Sequence, residues 1–223
     1  MGKLIIIEGT DGSGKQTQTE KLYSRLVDDG NKVKKISFPN YDSNSSALVK
    51  MYLSGEFGSK PTDVNAYAAS TFYGIDRYAS YKTDWGKEYI SGTIIISDRY
   101  TGSNMIHHGS KFDDEKEKEK YLCWLEDLEF DKFGIPRPDV TIFLNVPIDY
   151  TFSLMENRDN KFTGESKKDI HESDKDYLRK SYYNALDIAK QKGWKVIDCV
   201  VNNRMLSIEE IHELIYANVK EIL

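Results

Sequence analysis

"IIIEGTDGSGKQTQ", residues 5–18, sets an apolar run against a glycine-rich turn and a lysine. The β-branched Ile5, Ile6 and Ile7 favour an extended strand. The glycines after Glu8 end it, because they adopt backbone conformations that other residues resist. The pattern G-x-x-x-x-G-K fits Gly9 through Lys15. A strand, this turn and a helix from about Lys15 form the context in which backbone N–H groups turn inward around phosphate oxygens. Gly9, Thr10, Asp11, Gly12, Ser13, Gly14, Lys15, Gln16 and Thr17 are therefore the candidate nucleotide-binding residues, with Lys15 reaching the β- and γ-phosphates as a mobile point charge. One letter departs from the pattern. Gln16 stands where a hydroxyl normally ligates the magnesium carried by ATP. Its amide oxygen is a candidate ligand, direct or through water. Thr17 cannot replace it, because one helical step turns a side chain by about 100°.

Four further apolar runs match the first: "VKKISF" (33–38), "TIIISD" (93–98), "VTIFLN" (140–145) and "WKVIDCV" (194–200). Polar stretches with a helical rhythm lie between them. Val64, Tyr67, Ala68, Thr71, Ile75, Tyr78 and Ala79 form one such series. Another runs from Ile208 to Ile222 behind a capping box of Ser207 and Glu210. Near-continuous apolar strands alternating with helices predict an α/β fold, with a five-stranded parallel sheet covered by helices on both faces. The 223 residues suit one domain. No apolar run approaches a membrane span, and the N-terminal run reads as a strand rather than a signal peptide. Cys123 and Cys199 lie far apart in apolar settings and read as buried free thiols of a reducing compartment, so the expected location is cytoplasmic. A net charge of −5 argues against nucleic acid as a partner. The mixed-sign run at 111–122 reads as a solvated helix face.

"IIISDRY" ends its strand in Asp98, at the sheet edge where such folds bind ligands. Asp98 is a candidate for holding magnesium, and Arg99 for gripping an acceptor phosphate; the alternative is an Asp98–Arg99 ion pair. On "TFYGIDRYAS" (71–80), Tyr73 and Arg77 share a helix face, offering an aromatic plate for a base and a guanidinium for phosphate. Asp76 is a candidate ion-pair partner for Arg77. The polar stretch 156–174 reads as a surface loop or as a lid over phosphates.

Taken in order, "EGTDGSGK", "FPNY" (38–41), "FYGIDR" (72–77), "DRYTGSN" (98–104), "PDVTIFLNVP" (138–147) and "DIHES" (169–173) resemble the thymidylate kinase family, and they span nearly the whole chain. The resemblance implies the nucleoside-monophosphate-kinase version of the P-loop fold across residues 1–223, with a lid at about 156–173. It implies transfer of a phosphoryl group from Mg²⁺-bound ATP to dTMP. By position it implies that Asp11 faces the sugar 3′-hydroxyl and the metal region. Phe38 and Tyr41 line the acceptor site, Tyr73 stacks on thymine and Arg77 follows it. Arg99 clamps the dTMP phosphate, Asn104 reads the thymine edge and Tyr183 packs near the deoxyribose. Asp11, Gln16 and Asp98 are then the metal candidates. Gly12 stands where eukaryotic-type enzymes carry a loop arginine, so the catalytic cation is expected from the lid. Arg158 is the first candidate and Lys161 or Lys167 the next. Lys15, Arg99 and Arg158 make up the expected catalytic set. His107 replaces a tyrosine near the sugar C2′, and Asn145 replaces an aspartate. A homodimer packed through helices is implied as well.

Two other functions fit parts of the pattern. One is a kinase for another monophosphate or a deoxynucleoside. The other is a non-kinase switch, but "NKFT" (160–163) lacks the aspartate of a guanine-reading N-K-x-D.

Overall fold

Strand β1 (Leu4–Gly9) is buried along its whole length, as a strand paired on both edges and covered on both faces must be. In the computed structural model, which describes residues 1–155 and 169–223, it is the centre of a five-stranded sheet. The order is β2 (Val33–Ser37), β3 (Ile94–Asp98), β1, β4 (Val140–Asn145) and β5 (Lys195–Asp198), and every pairing is parallel. All five apolar runs thus become strands. Their side chains alternate between two cores. Ile5 and Ile7 pack with Leu22 and Leu26 of α1 (Lys15–Asp28) and with Ile211 and Ile215 of α9 (Ile208–Lys220). Leu4 and Ile6 face the opposite way, onto Trp85, Tyr89 and Tyr100.

Between β2 and β3 lie α2 (Ala47–Leu53), α3 (Ala66–Ser80) and α4 (Gly86–Ile90); α5 (Thr101–His107) and α6 (Glu115–Glu126) precede β4. Helices α7 (Ile148–Met155) and α8 (Lys175–Gln191) precede β5. The capping box opens α9 as expected, with Glu210 N–H donating to Ser207 Oγ at 3.2 Å and Ser207 N–H to Glu210 Oε2 at 2.7 Å. The mixed-sign run becomes α6, laced by Lys118–Glu115 and Lys120–Glu117 pairs. The last apolar run is shorter than its sequence suggests. After β5, a ribbon of β6 (Val200–Val201) and β7 (Arg204–Met205) turns through Asn202 and Asn203, both at positive φ, a conformation asparagine tolerates. Cys199 is buried, and burial pushes its thiol up to about 12, whereas Cys123 is exposed on α6 rather than buried. Asn145 uses both ends of its amide. Nδ2 donates to Asp198 Oδ1 at 2.7 Å, and Oδ1 accepts from the Tyr182 hydroxyl at 3.0 Å. An aspartate there would face Asp198 with like charge.

Helix α3 splits its apolar series: Tyr67 packs against the core beside Met105 and Tyr121, whereas Ile75 and Tyr78 turn outward. Ala69, Ser70, Gly74, Asp76 and Arg77 are buried. Specific polar pairs explain this, because buried charges need fixed partners. Asp76 does not pair with Arg77; it accepts from Asn40 N–H at 2.8 Å and Ser45 Oγ at 2.5 Å. Arg77 instead makes a two-pronged contact with Glu129, with Nε at 2.7 Å and Nη2 at 2.5 Å, and Thr101 Oγ1 adds a third bond to the same carboxylate. Both members are essentially inaccessible. Removing one charge of such a pair typically costs about 3–5 kcal/mol. Glu129→Gln should lower stability to urea by about that amount, whereas an Arg77→Met/Glu129→Leu pair should lose much less. A loss below about 1 kcal/mol in the single variant would show that Arg77 does not depend on Glu129.

Candidate active site

The parallel register sets Ile7 of β1 opposite Asp98 of β3. The two segments that leave the sheet there, the glycine-rich loop and the Arg99 turn, therefore lie side by side. Gly12 and Gly14 have φ of 81° and 83°, which the turn into α1 requires and glycine adopts without strain. Lys15 is buried, and its Nζ donates to Thr10 O at 2.7 Å, curling over the loop. Burial pushes its ammonium down to about 8, reinforced by Arg99 and opposed by Asp11, Asp98 and Glu8.

Glu8 ends β1 with no exposure at all. It accepts from Tyr100 N–H at 2.9 Å and Ser103 Oγ at 2.7 Å. The turn it holds includes Arg99 at φ 67°, a left-handed conformation that costs a non-glycine residue about 1 kcal/mol or more. Gly102 makes the approach feasible, since a Cβ there would lie 2.8 Å from Trp194 and 3.0 Å from Glu8 Oε1. The Arg99 guanidinium then points at the loop. Nη2 pairs closely with Asp11 Oδ1, and Nη1 donates to Ser103 Oγ at 3.1 Å and meets His107 Nε2 at 3.3 Å. A guanidinium only donates, so His107 Nε2 accepts and the ring proton sits on Nδ1. Burial, with Arg99 adding to it, pushes His107 down to about 3 and keeps it neutral. Burial alone would raise Asp11, but Arg99 and Lys15 hold it well below the carboxylate range. The Asp98–Arg99 ion pair considered from sequence is replaced by Asp11–Arg99.

A cavity of about 470 Å³ opens along this seam. Its phosphate-loop end carries Asp11, Gln16, Thr19 and Asp98. Phe38, Tyr41, Tyr73, Asn104 and His107 line the other end, beside Arg99. Asn104 Nδ2 donates to Ser70 O at 3.2 Å, which fixes which way its amide faces. Asp98 Oδ1 and Thr19 Oγ1 are buried without a hydrogen-bond partner among the described residues. With the Gln16 amide oxygen they form a hard, oxygen-only donor set that fits magnesium, while Asp11 is already engaged by Arg99.

Several expected site residues do not line the cavity; of Gly9 to Thr17 only Asp11 and Gln16 do. Arg77 is sequestered by Glu129, as above, behind the wall. Tyr183 is 56% exposed, because the side of α8 facing α5 is taken by Tyr177, Ser181 and Asn184 at helical spacing. Tyr177 reaches this wall instead, donating to His107 O at 2.6 Å. Thr17 is exposed and off the cavity. Arg158, Lys161 and Lys167 lie outside the described residues. The sequence reading passed over Ser103, Asp169 and His171. Ser103 sits within "DRYTGSN" and His171 within "DIHES", but Tyr52, which supports the wall, carries no sequence signal.

A family model described as thymidylate kinase matches residues 7–215. The chain belongs to the thymidylate kinase family. A thymidylate kinase of Mycobacterium tuberculosis is 30% identical, over 86% of this chain and 87% of that protein. A probable thymidylate kinase of Pyrococcus horikoshii is 28% identical, over 100% and 98%. The solved thymidylate kinase of Candida albicans shares the fold, with a TM-score of 0.72 at 21% identity, over 99% of this chain and 92% of that one. The enzyme phosphorylates dTMP in nucleotide biosynthesis. No helix among the described residues is long and apolar enough to cross a membrane.

Opposite Arg99, burial pushes the Asp169 carboxyl up to about 7, with Glu172 and Asp11 adding to it. A carboxyl raised in the fold destabilises it as pH climbs from the unfolded value, near 4, towards 7, and the penalty persists above. Asp169→Asn keeps the acceptor oxygen without the charge. It should raise Tm at pH 8 by on the order of 5 °C and leave Tm unchanged at pH 3.5, read by thermal melts. Equal melting at both pH values would refute the shift.

Proposed function

We propose that the enzyme moves the γ-phosphoryl of Mg²⁺-bound ATP in line onto the phosphate oxygen of dTMP. One observation carries this reading. The Arg99–Asp11 contact joins the phosphate loop to the pocket of Tyr73 and Asn104 within one cavity. A donor on the loop and an acceptor in the pocket would therefore meet at Arg99. Gly9 to Thr17 bind the nucleotide, with backbone N–H groups and Lys15 on its phosphates. Arg99 grips the acceptor phosphate through paired N–H groups. Tyr73 stacks on thymine, the free end of Asn104 reads its edge, and Phe38, Tyr41 and His107 enclose the sugar side. Asp98 and Gln16 would hold magnesium, directly or through water, and the ion would supply charge neutralisation for the phosphates. The acceptor phosphate is already anionic, so the protein's work is positioning and electrostatics, and no general base is needed.

Residues 1–223 act as one kinase domain, with about 156–173 serving as its lid, the end of which, 169–173, is tied to α2, and with Arg158 providing the catalytic cation. The exposed Ile75 and Tyr78 of α3 support a homodimer packed on that face. A soluble, cytoplasmic enzyme without a nucleic-acid partner fits the acidic surface charge.

Steady-state assays with dTMP at varied Mg²⁺ test these roles. Arg158→Ala should lower kcat on the order of 10³-fold with little change in the dTMP KM. A near-normal kcat would pass the role to Lys161 or Lys167. Gln16→Thr should shift the Mg²⁺ dependence and spare the dTMP KM; an unchanged metal profile would remove Gln16 from the metal's shell.

A further inference from the structure

The wall opposite Tyr73 is built from residues 169–173, which belong to no helix or strand of the main fold. Asp169, His171 and Glu172 all line the cavity. A turn so placed keeps its shape only if something holds it to the body of the protein. Within the turn, Asp169 Oδ1 accepts from the N–H groups of His171 and Glu172, both at 2.8 Å. To the body, Ile170 N–H donates to Leu53 O at 3.3 Å, and its side chain packs with Val49, Tyr52 and Leu53 of α2.

A further anchor is His171. Its ring is 7% exposed and sits in a socket of four aromatic groups from three helices. Tyr52 of α2 lies at 5.3 Å, Tyr177 of α8 at 4.9 Å, and His107 and its neighbour His108, at the end of α5, at 5.9 Å each. Nε2 meets the Tyr52 hydroxyl at 2.8 Å. That hydroxyl also accepts from Lys111 Nζ at 3.2 Å and lies 3.3 Å from Pro61 O. A phenol has one proton to give; the Pro61 carbonyl can only accept, so the hydroxyl donates there and accepts from His171 Nε2–H. Tyr52 has no exposure, so its bonds form out of water, where leaving one unmade is costly.

We propose that His171, latched to Tyr52, is a positioning residue for the acceptor site: it fixes the 169–173 wall against α2 and so sets the width of the pocket facing Tyr73 and Arg99. This rests on reading the cavity as the dTMP site. His171 acts through the wall it holds and need not touch the reacting atoms. The phosphate-loop end of the cavity is built from β1, α1 and β3, so the latch should leave ATP unaffected.

Tyr52→Phe and His171→Phe each remove the bond and keep a ring in place. Steady-state kinetics should show the dTMP KM rising about 3–10-fold in each, the span of one net hydrogen bond. The ATP KM should stay within about 2-fold, and the double variant should be no worse than Tyr52→Phe alone, because both substitutions remove the same bond and only Tyr52→Phe also removes those to Lys111 and Pro61. His171→Gln, which returns an N–H donor at similar reach, should restore the dTMP KM. Effects that multiply in the double variant, or that raise both KM values alike, would overturn the latch. So would a failure of His171→Gln to rescue. Tyr73→Leu separates the two levels. If it raises the dTMP KM while the Tyr52 and His171 variants do not, the latch fails and the acceptor site stands. If it leaves the dTMP KM unchanged, the acceptor reading fails and the latch falls with it.

Discussion

A carboxylate with no access to water, Glu8, ties the end of the central strand to the turn that carries Arg99. Burial raises its pKa above the ordinary carboxylate value, although Arg99, Ser103, the Tyr100 N–H and Lys15 oppose that push. An isolated buried charge is too costly to keep, so Glu8 demands these partners and the geometry that brings them within reach. Satisfying it bends the chain at Arg99 into a left-handed conformation and sends the guanidinium over the phosphate loop. The strain at Arg99 is offset by bonds its neighbours make. The clamp is thereby set in place by the sheet rather than by a ligand.

Several consequences share this origin. Asp11, Lys15, Arg99, Asp98 and Glu8 form one electrostatic unit in which no charge can be changed alone. Arg99 and Lys15 repel each other, and the buried acids between them make the arrangement tolerable. Burial, with the same cations adding to it, keeps the nearby His107 neutral, so this part of the pocket offers an uncharged ring beside a fixed positive charge. A phosphate entering there meets donors already aimed, which avoids ordering them at the moment of reaction.

The sheet was legible from the sequence because a doubly covered parallel strand must be apolar almost throughout, and five such runs are present. The phosphate loop was legible because its glycines and lysine answer to a backbone geometry, and the opening of α9 because Ser207 and Glu210 satisfy each other locally. What could not be read depends on contacts distant in the chain. Arg77 beside Asp76 looked like a local pair, but Glu129, fifty-two positions on, takes the charge. Tyr183 resembles a site residue by position, yet helix periodicity turns it to solvent and gives the wall to Tyr177. The Tyr52–His171 contact joins residues 119 positions apart, and no periodicity announces it.

The central claim is that Arg99 is held in advance to grip the phosphate of the acceptor. It is tested most directly by measuring binding of dTMP and of thymidine, which lacks the phosphate, to the native enzyme and to Arg99→Lys. Replacing a two-pronged guanidinium by a point charge should weaken dTMP by about 10–100-fold, the worth of charge-assisted bonds. Thymidine should bind both proteins alike. Equal losses for the two ligands, or none for either, would contradict the account.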